Sequence, residues 1–143
     1  MATERSAHVT WRGSLMDGHG TIESVGSGAF GPLDVTWASR AEAPDGLTSP
    51  EELIAAAHAA CFSMALSHGL AQAGTPAEHL ETSATVTFVP GTGITAVALR
   101  VRGTVPGTDA AAFLERAQAA KAGCPVSMAL AGVPEITLDA ALA

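Results

Sequence analysis

Two cysteines, Cys61 and Cys124, are the sequence's candidate nucleophiles, and each sits in a different local context. Cys124, in "GCPVSMALAG", stands immediately before Pro125, a residue suited to the first position of a helix. A thiol there meets free backbone N–H groups and the positive end of a helix dipole, which favour thiolate. Cys61 lies inside "SPEELIAAAHAACFSMALSHG" and receives no such help from its own helix. To act as a nucleophile it needs a cation from elsewhere. Arginine fits that need, because it stays charged and offers a fork of donors. Arg40, at what reads as a strand end before the helix, is the first choice, and Arg12 in the first hairpin is the second. Arg100, Arg102 and Arg116 read as ordinary surface residues.

Three other chemistries compete for these residues. His58, Cys61 and His68 share one helix face, and with Cys124 they would form a His2Cys2 set acceptable to zinc. His68, however, falls about 10 Å beyond Cys61 along a helix axis, too far for one compact site with His58. The metal reading is therefore set aside, and both histidines read as packed core or interface residues. A Cys–His hydrolase lacks an identifiable oxyanion hole or an orienting Asn or Asp. The glycines of "GSGAFG" lack the rest of a phosphate-loop or dinucleotide pattern and read as a turn. The cysteine count alone favours free core cysteines, since cysteine packs as a small hydrophobe.

The elements that must position these residues are legible along the chain. "SAHVTWRGSLMDGHGTIESVGSG" alternates and turns as a hairpin, and "PLDVTWASR" reads as a third strand with Leu33, Val35 and Trp37 on one face. Ser49 as N-cap, Pro50 at the first position and Glu52 at capping-box spacing start a helix that runs to about Gly74. It carries no Asp, Glu, Lys or Arg between Ile54 and Ala77, so it reads as a buried core helix. "TSATVTFV" and "ITAVALRVRGTV" are strands, the second with Val97, Leu99, Val101 and Val105 inward and Arg100 and Arg102 outward. A helix from about Asp109 to Ala122, a short helix from Pro125 and the strand "EITLDAALA" complete a βββαββααβ order, an α+β pattern.

Composition bounds the function. The chain has 143 residues, suited to one domain with a single core. Seven Lys and Arg against fourteen Asp and Glu leave a net charge of −7, which argues against nucleic acid or an anionic membrane as a partner. The first residues lack the regions of a signal peptide, so the expected compartment is the cytosol, where a permanent structural disulfide is not expected.

"SPEELIAAAHAACFSMAL", followed by "AKAGCPVSMAL" and "EITLDAAL", resembles the OsmC/Ohr family of thiol peroxidases, over nearly the whole chain and closer to the OsmC branch. The resemblance implies a single OsmC-like domain over 1–143, a long central helix wrapped by antiparallel sheets, and an intertwined homodimer. It also implies a cytosolic, stress-defence enzyme that needs no cofactor or metal and reduces organic hydroperoxides. An external thiol regenerates it, with a lipoyl protein as the reductant the family suggests. By the same carry-over Cys61 is the peroxidatic thiolate, Cys124 resolves its sulfenic acid as a Cys61–Cys124 disulfide, and Glu51 orients the activating Arg40. The sequence departs from the family in "LSHGL", where an imidazole and a glycine replace bulkier apolar residues. Glu51 and Cys61 lie about 15 Å apart along one straight helix and roughly 80° apart around it. The expectation is therefore a dimer in which Glu51 serves the partner's Cys61. The alternative is a non-catalytic module that binds an apolar ligand among packed cysteines.

Overall fold

A computed structural model describes residues 1–143, in the order β1 (Ala7–Arg12), β2 (His19–Val25), β3 (Leu33–Val35), α1 (Trp37–Ala41), α2 (Pro50–Gln72), β4 (His79–Val89), β5 (Gly93–Thr104), α3 (Ala110–Gly123), α4 (Pro125–Ala129) and β6 (Glu135–Leu142). The chain divides into two compact units, Met1–Leu53 and Ile54–Ala143.

The first unit is built on a three-stranded antiparallel sheet in the order β1-β2-β3. Its third strand stops at Val35, short of the strand expected through Trp37. Thr36 and Ser39 explain the stop. The Ser39 N–H donates to Thr36 Oγ1 at 3.0 Å and the Thr36 N–H donates to Ser39 Oγ at 2.9 Å, a reciprocal cap that starts α1. Arg40 therefore sits in the last turn of a short helix rather than at a strand end. Ser39 Oγ also lies 3.2 Å from the Thr48 carbonyl, which fastens α1 to the loop before α2.

The second unit carries a three-stranded sheet in the order β4-β5-β6. β4 and β5 pair antiparallel, as adjacent strands joined by a tight turn do. β6 runs parallel to β5, so this sheet is mixed rather than wholly antiparallel; α3 and α4 supply the crossover that a parallel pair requires. Along β4 burial alternates residue by residue, with Leu80, Ala84, Val86 and Phe88 turned inward, and on β5 Val97, Leu99 and Val101 are fully buried. On the outer side Arg102 Nη2 reaches Asp139 Oδ2 at 2.8 Å and Arg100 Nε lies 3.6 Å from the same atom.

Phe62, Leu66 and Leu70 of α2 meet Leu99 and Val101 of β5 and Phe113, Ala117 and Ala120 of α3 in one core cluster that also encloses Cys124. Each buried phenylalanine contributes about 1.5–3 kcal/mol by leaving water. Phe113 packs so closely on β5 that a Cβ at Gly103 would lie 2.7 Å from its Cε2. A buried stripe at every fourth position (His58, Phe62, Leu66, Leu70) is what a helix presents to a single neighbouring layer. The rest of α2 is not enclosed: Ala56, Ala57, Ala60 and Met64 are exposed, and 22% of its most apolar window is buried. The expectation of a helix buried all round thus holds for one face of the single chain. By length and composition α2 could cross a bilayer, but its inner stripe is core. The helix stops at Gly74, whose φ of 81° lets the Thr75 N–H turn back to the Leu70 carbonyl at 3.0 Å.

Candidate active site

The second unit brings Cys61 and Cys124 together. α2 presents Cys61 one position before the buried Phe62, and Cys124 caps α4 as expected, with Pro125 at the first helical position. Both are free thiols, Cys61 half-buried and Cys124 wholly buried, and each acts on the acidity of the other.

Their surroundings pull the two thiols in opposite directions. Burial pushes the Cys61 thiol above its ordinary value and the bond with Cys124 adds to this, while the Val126 backbone N–H offsets only part. No cation of its own unit acts on Cys61. Burial opposes ionisation of Cys124 as well. There, however, hydrogen bonds from Cys61, from the Ser127 backbone and hydroxyl and from the Val126 backbone outweigh it, so the Cys124 thiol falls below its ordinary value. Cys124 is accordingly the more acidic thiol of the single chain, with Cys61 the first of the groups that make it so.

Ser127 occupies the third position of α4, the place from which a side chain can reach back to the cap residue. Its Oγ lies 2.7 Å from His58 Nε2, so a buried polar pair joins α2 to α4. The sequence carried this signal as cap-to-third-position spacing in "CPVS", which the reading of Cys124 alone did not use. His58 is wholly buried, as expected of a packed histidine, and burial lowers its imidazole below the usual histidine value. His68 is exposed and lines a cavity of about 540 Å³ with Ser67, Met64 and His79. A second cavity of about 540 Å³ lies over Ser127, Met128, Lys121 and Ile136. Neither is lined by a cysteine, so the sulfurs rather than the cavities locate the chemistry. No three or more His, Cys, Asp or Glu side chains are grouped as for a metal ion.

The first unit brings Arg40 and Glu51 together. Arg40 Nε donates to both carboxylate oxygens of Glu51, at 3.0 and 3.2 Å, and Nη2 donates to Oε1 at 2.8 Å. This fork-on-carboxylate geometry fixes the guanidinium plane as well as its position. Glu51 is nearly enclosed, with 8% of its side chain exposed, against 33% for Arg40. Arg12, the second candidate, ends β1 on the surface.

A pair of neighbouring free thiols with opposed acidities is the arrangement of a redox-active cysteine protein. Comparison with known proteins places it further. The family model described as OsmC-like protein matches residues 43–139, and the chain belongs to that family. It is 44% identical to peroxiredoxin OsmC of Escherichia coli K12 over 142 residues, 97% of this chain and 96% of that protein. Among solved structures it resembles an organic hydroperoxide resistance protein OsmC of Legionella pneumophila, with a TM-score of 0.70, 25% identity, and coverage of 95% and 96% of the two chains. It also resembles OhrB of Bacillus subtilis, with a TM-score of 0.63, 28% identity, and coverage of 96% and 98%.

Proposed function

We propose that this thiol peroxidase reduces organic hydroperoxides to alcohols, with Cys61 as the attacking thiolate and Cys124 as the resolving thiol. The observation that carries the proposal is the pair of free thiols, Cys61 and Cys124, placed so that each acts on the other. In the first step the Cys61 thiolate attacks the distal peroxide oxygen, the O–O bond breaks, and the alkoxide takes a proton to leave as alcohol. Cys61 is then a sulfenic acid. Cys124 sulfur displaces its hydroxyl, forming the S–S bond and releasing water once the thiol's proton is counted. An external thiol reductant, with a lipoyl protein as the family's suggestion, returns both sulfurs to thiols.

Cys61 needs a cation that its own surroundings do not supply, and the Arg40–Glu51 pair is the supply this reading assigns. The guanidinium would stabilise the thiolate and then the departing alkoxide, with Glu51 holding its plane. A homodimer supports that arrangement: the exposed small-residue face of α2 and the exposed Val9, Trp11, Leu15 and Met16 are apolar surface that a second copy would cover. In such a dimer Glu51 and Arg40 of one chain would serve Cys61 of the other. The same reading makes the protein soluble and cytosolic.

The test is one equivalent of an organic hydroperoxide followed by non-reducing peptide mapping. An intramolecular Cys61–Cys124 bond is expected. Cys61→Ser should abolish peroxide consumption, and Cys124→Ser should allow a single turnover that leaves a trappable Cys61 sulfenic acid. Two intact thiols would instead support a binding module, and exchanged phenotypes would reverse the two roles.

A further inference from the structure

The two ring nitrogens of His58 are in unequal positions. Nε2 lies 2.7 Å from Ser127 Oγ, while Nδ1 is buried with no hydrogen-bond partner. The ring is wholly buried, and burial is what acts on it, keeping it neutral near pH 7. A neutral imidazole carries one N–H. On Nδ1 that proton would be an orphaned buried donor, which folded proteins rarely tolerate. On Nε2 it finds the Ser127 oxygen. The proton therefore belongs on Nε2, and Nδ1 keeps only a lone pair.

That tautomer decides what Ser127 does. Its oxygen accepts from His58, and its single hydroxyl proton must then be donated elsewhere. Ser127 is the third residue of the helix that Cys124 caps, and its hydroxyl is among the groups that favour the Cys124 thiolate. We infer that His58 is a positioning residue for Cys124: through Nε2–H to Ser127 Oγ it holds the Ser127 hydroxyl in the one orientation that donates to the Cys124 sulfur. The imidazole acts by direction and not by charge, and touches neither sulfur for this purpose. For its consequence, a faster attack of Cys124 on an oxidised Cys61, the inference rests on the peroxidase reading. For its geometry it does not.

The experiment uses no hydroperoxide, so its outcome is separate from that of the peroxidase reading. Cys124 alkylation is followed against pH in a Cys61→Ser chain, where Cys124 is the only thiol. The groups acting on this sulfur are Cys61 from α2 and Ser127 and Val126 from α4, with no carboxylate or cation among them, so the profile reports one ionisation. Ser127→Ala should raise its midpoint by about one pH unit, a roughly tenfold loss of thiolate at neutral pH. His58→Phe should raise it in the same direction, and His58→Gln, whose amide N–H can replace Nε2–H, should restore most of the loss. In the Ser127→Ala chain, His58→Phe should add nothing. The nitrogen-15 shifts of His58 in the unsubstituted protein should show the proton on Nε2, a reading that does not depend on whether any variant folds. A proton on Nδ1, an unmoved midpoint in His58→Phe, or independent additive effects of the two substitutions would overturn the inference.

Discussion

Removing either partner of the Arg40–Glu51 pair breaks the same three hydrogen bonds, yet the two substitutions leave different things behind. Arg40→Ala leaves a carboxylate whose side chain is 8% exposed. Glu51→Ala leaves a guanidinium that is 33% exposed and can turn to water. Breaking a fully buried pair by removing one partner costs about 3–5 kcal/mol. Solvent at Arg40 screens this pair, so about 2–3 kcal/mol is expected for Arg40→Ala. Glu51→Ala should cost about 1 kcal/mol, close to a surface pair. With neither charge present there is nothing left to desolvate, so the double variant should resemble Glu51→Ala and not the sum. Arg40→Lys keeps the charge but loses the fork, and should fall between wild type and Arg40→Ala. Urea unfolding of the four chains, at unchanged m-value, measures all of this. Equal losses for Arg40→Ala and Glu51→Ala, or a double variant equal to their sum, would refute the argument that the buried carboxylate is the costly group.

Three further outcomes follow from the geometry. Arg40→Ala should slow alkylation of Cys61 and leave Cys124 the faster thiol at neutral pH, whereas Arg12→Ala should change neither; mass-resolved alkylation of both peptides reads this, and a larger effect at Arg12 would move the activating role there. His58 has a folded-state value below 6.5, so its contribution to stability is complete above pH 6.5 and is lost as pH falls through the lowered value. Urea midpoints should decline below about pH 6.5 with a slope of at most ~1.4 kcal/mol per pH unit from this group, and His58→Gln should flatten that part of the profile. Gly103→Ala places a methyl carbon 2.7 Å from a buried Phe113 ring carbon and should cost about 1–3 kcal/mol of stability without altering the acidity of either thiol, measured by thermal unfolding and alkylation together.

The parts of this fold written in local signals could be read directly. Ser49, Pro50 and Gly74 bracket α2 because caps and breakers act within a few residues of themselves, and Pro125 fixes Cys124 as a cap for the same reason. The alternation of β4 and β5 likewise needs only a window of a few residues. The Thr36–Ser39 cap was equally local, but Val35 and Trp37 continue the strand period across it, and the alternation masked the cap. What sequence could not supply were partners set by topology. Ser127 reaches His58 across 69 residues, and β6 lies parallel to β5 because of a crossover, neither of which leaves a periodic trace. The pairing of Cys61 with Cys124 was reached through the likeness to a family and not through spacing. Arg40 is preferred over Arg12 partly by that likeness; what the structure adds is its pairing with Glu51.

The opposed acidities of the two thiols bear on why α2 is left half uncovered. Cys124 has donors within its own unit that lower its thiol, which suits the resolving role proposed for it. Cys61 does not: burial raises it, and no cation of its own unit acts on it. A peroxidatic thiolate at Cys61 therefore calls for charge brought from outside these surroundings. A helix with a long uncharged face of small residues permits close approach of another helix, and it leaves apolar area that water does not favour. One event, the docking of a second copy, would bury that face and deliver a pre-oriented guanidinium. On the peroxidase reading the chemistry and the assembly are linked: the second copy that covers α2 would also bring the guanidinium that the Cys61 unit lacks.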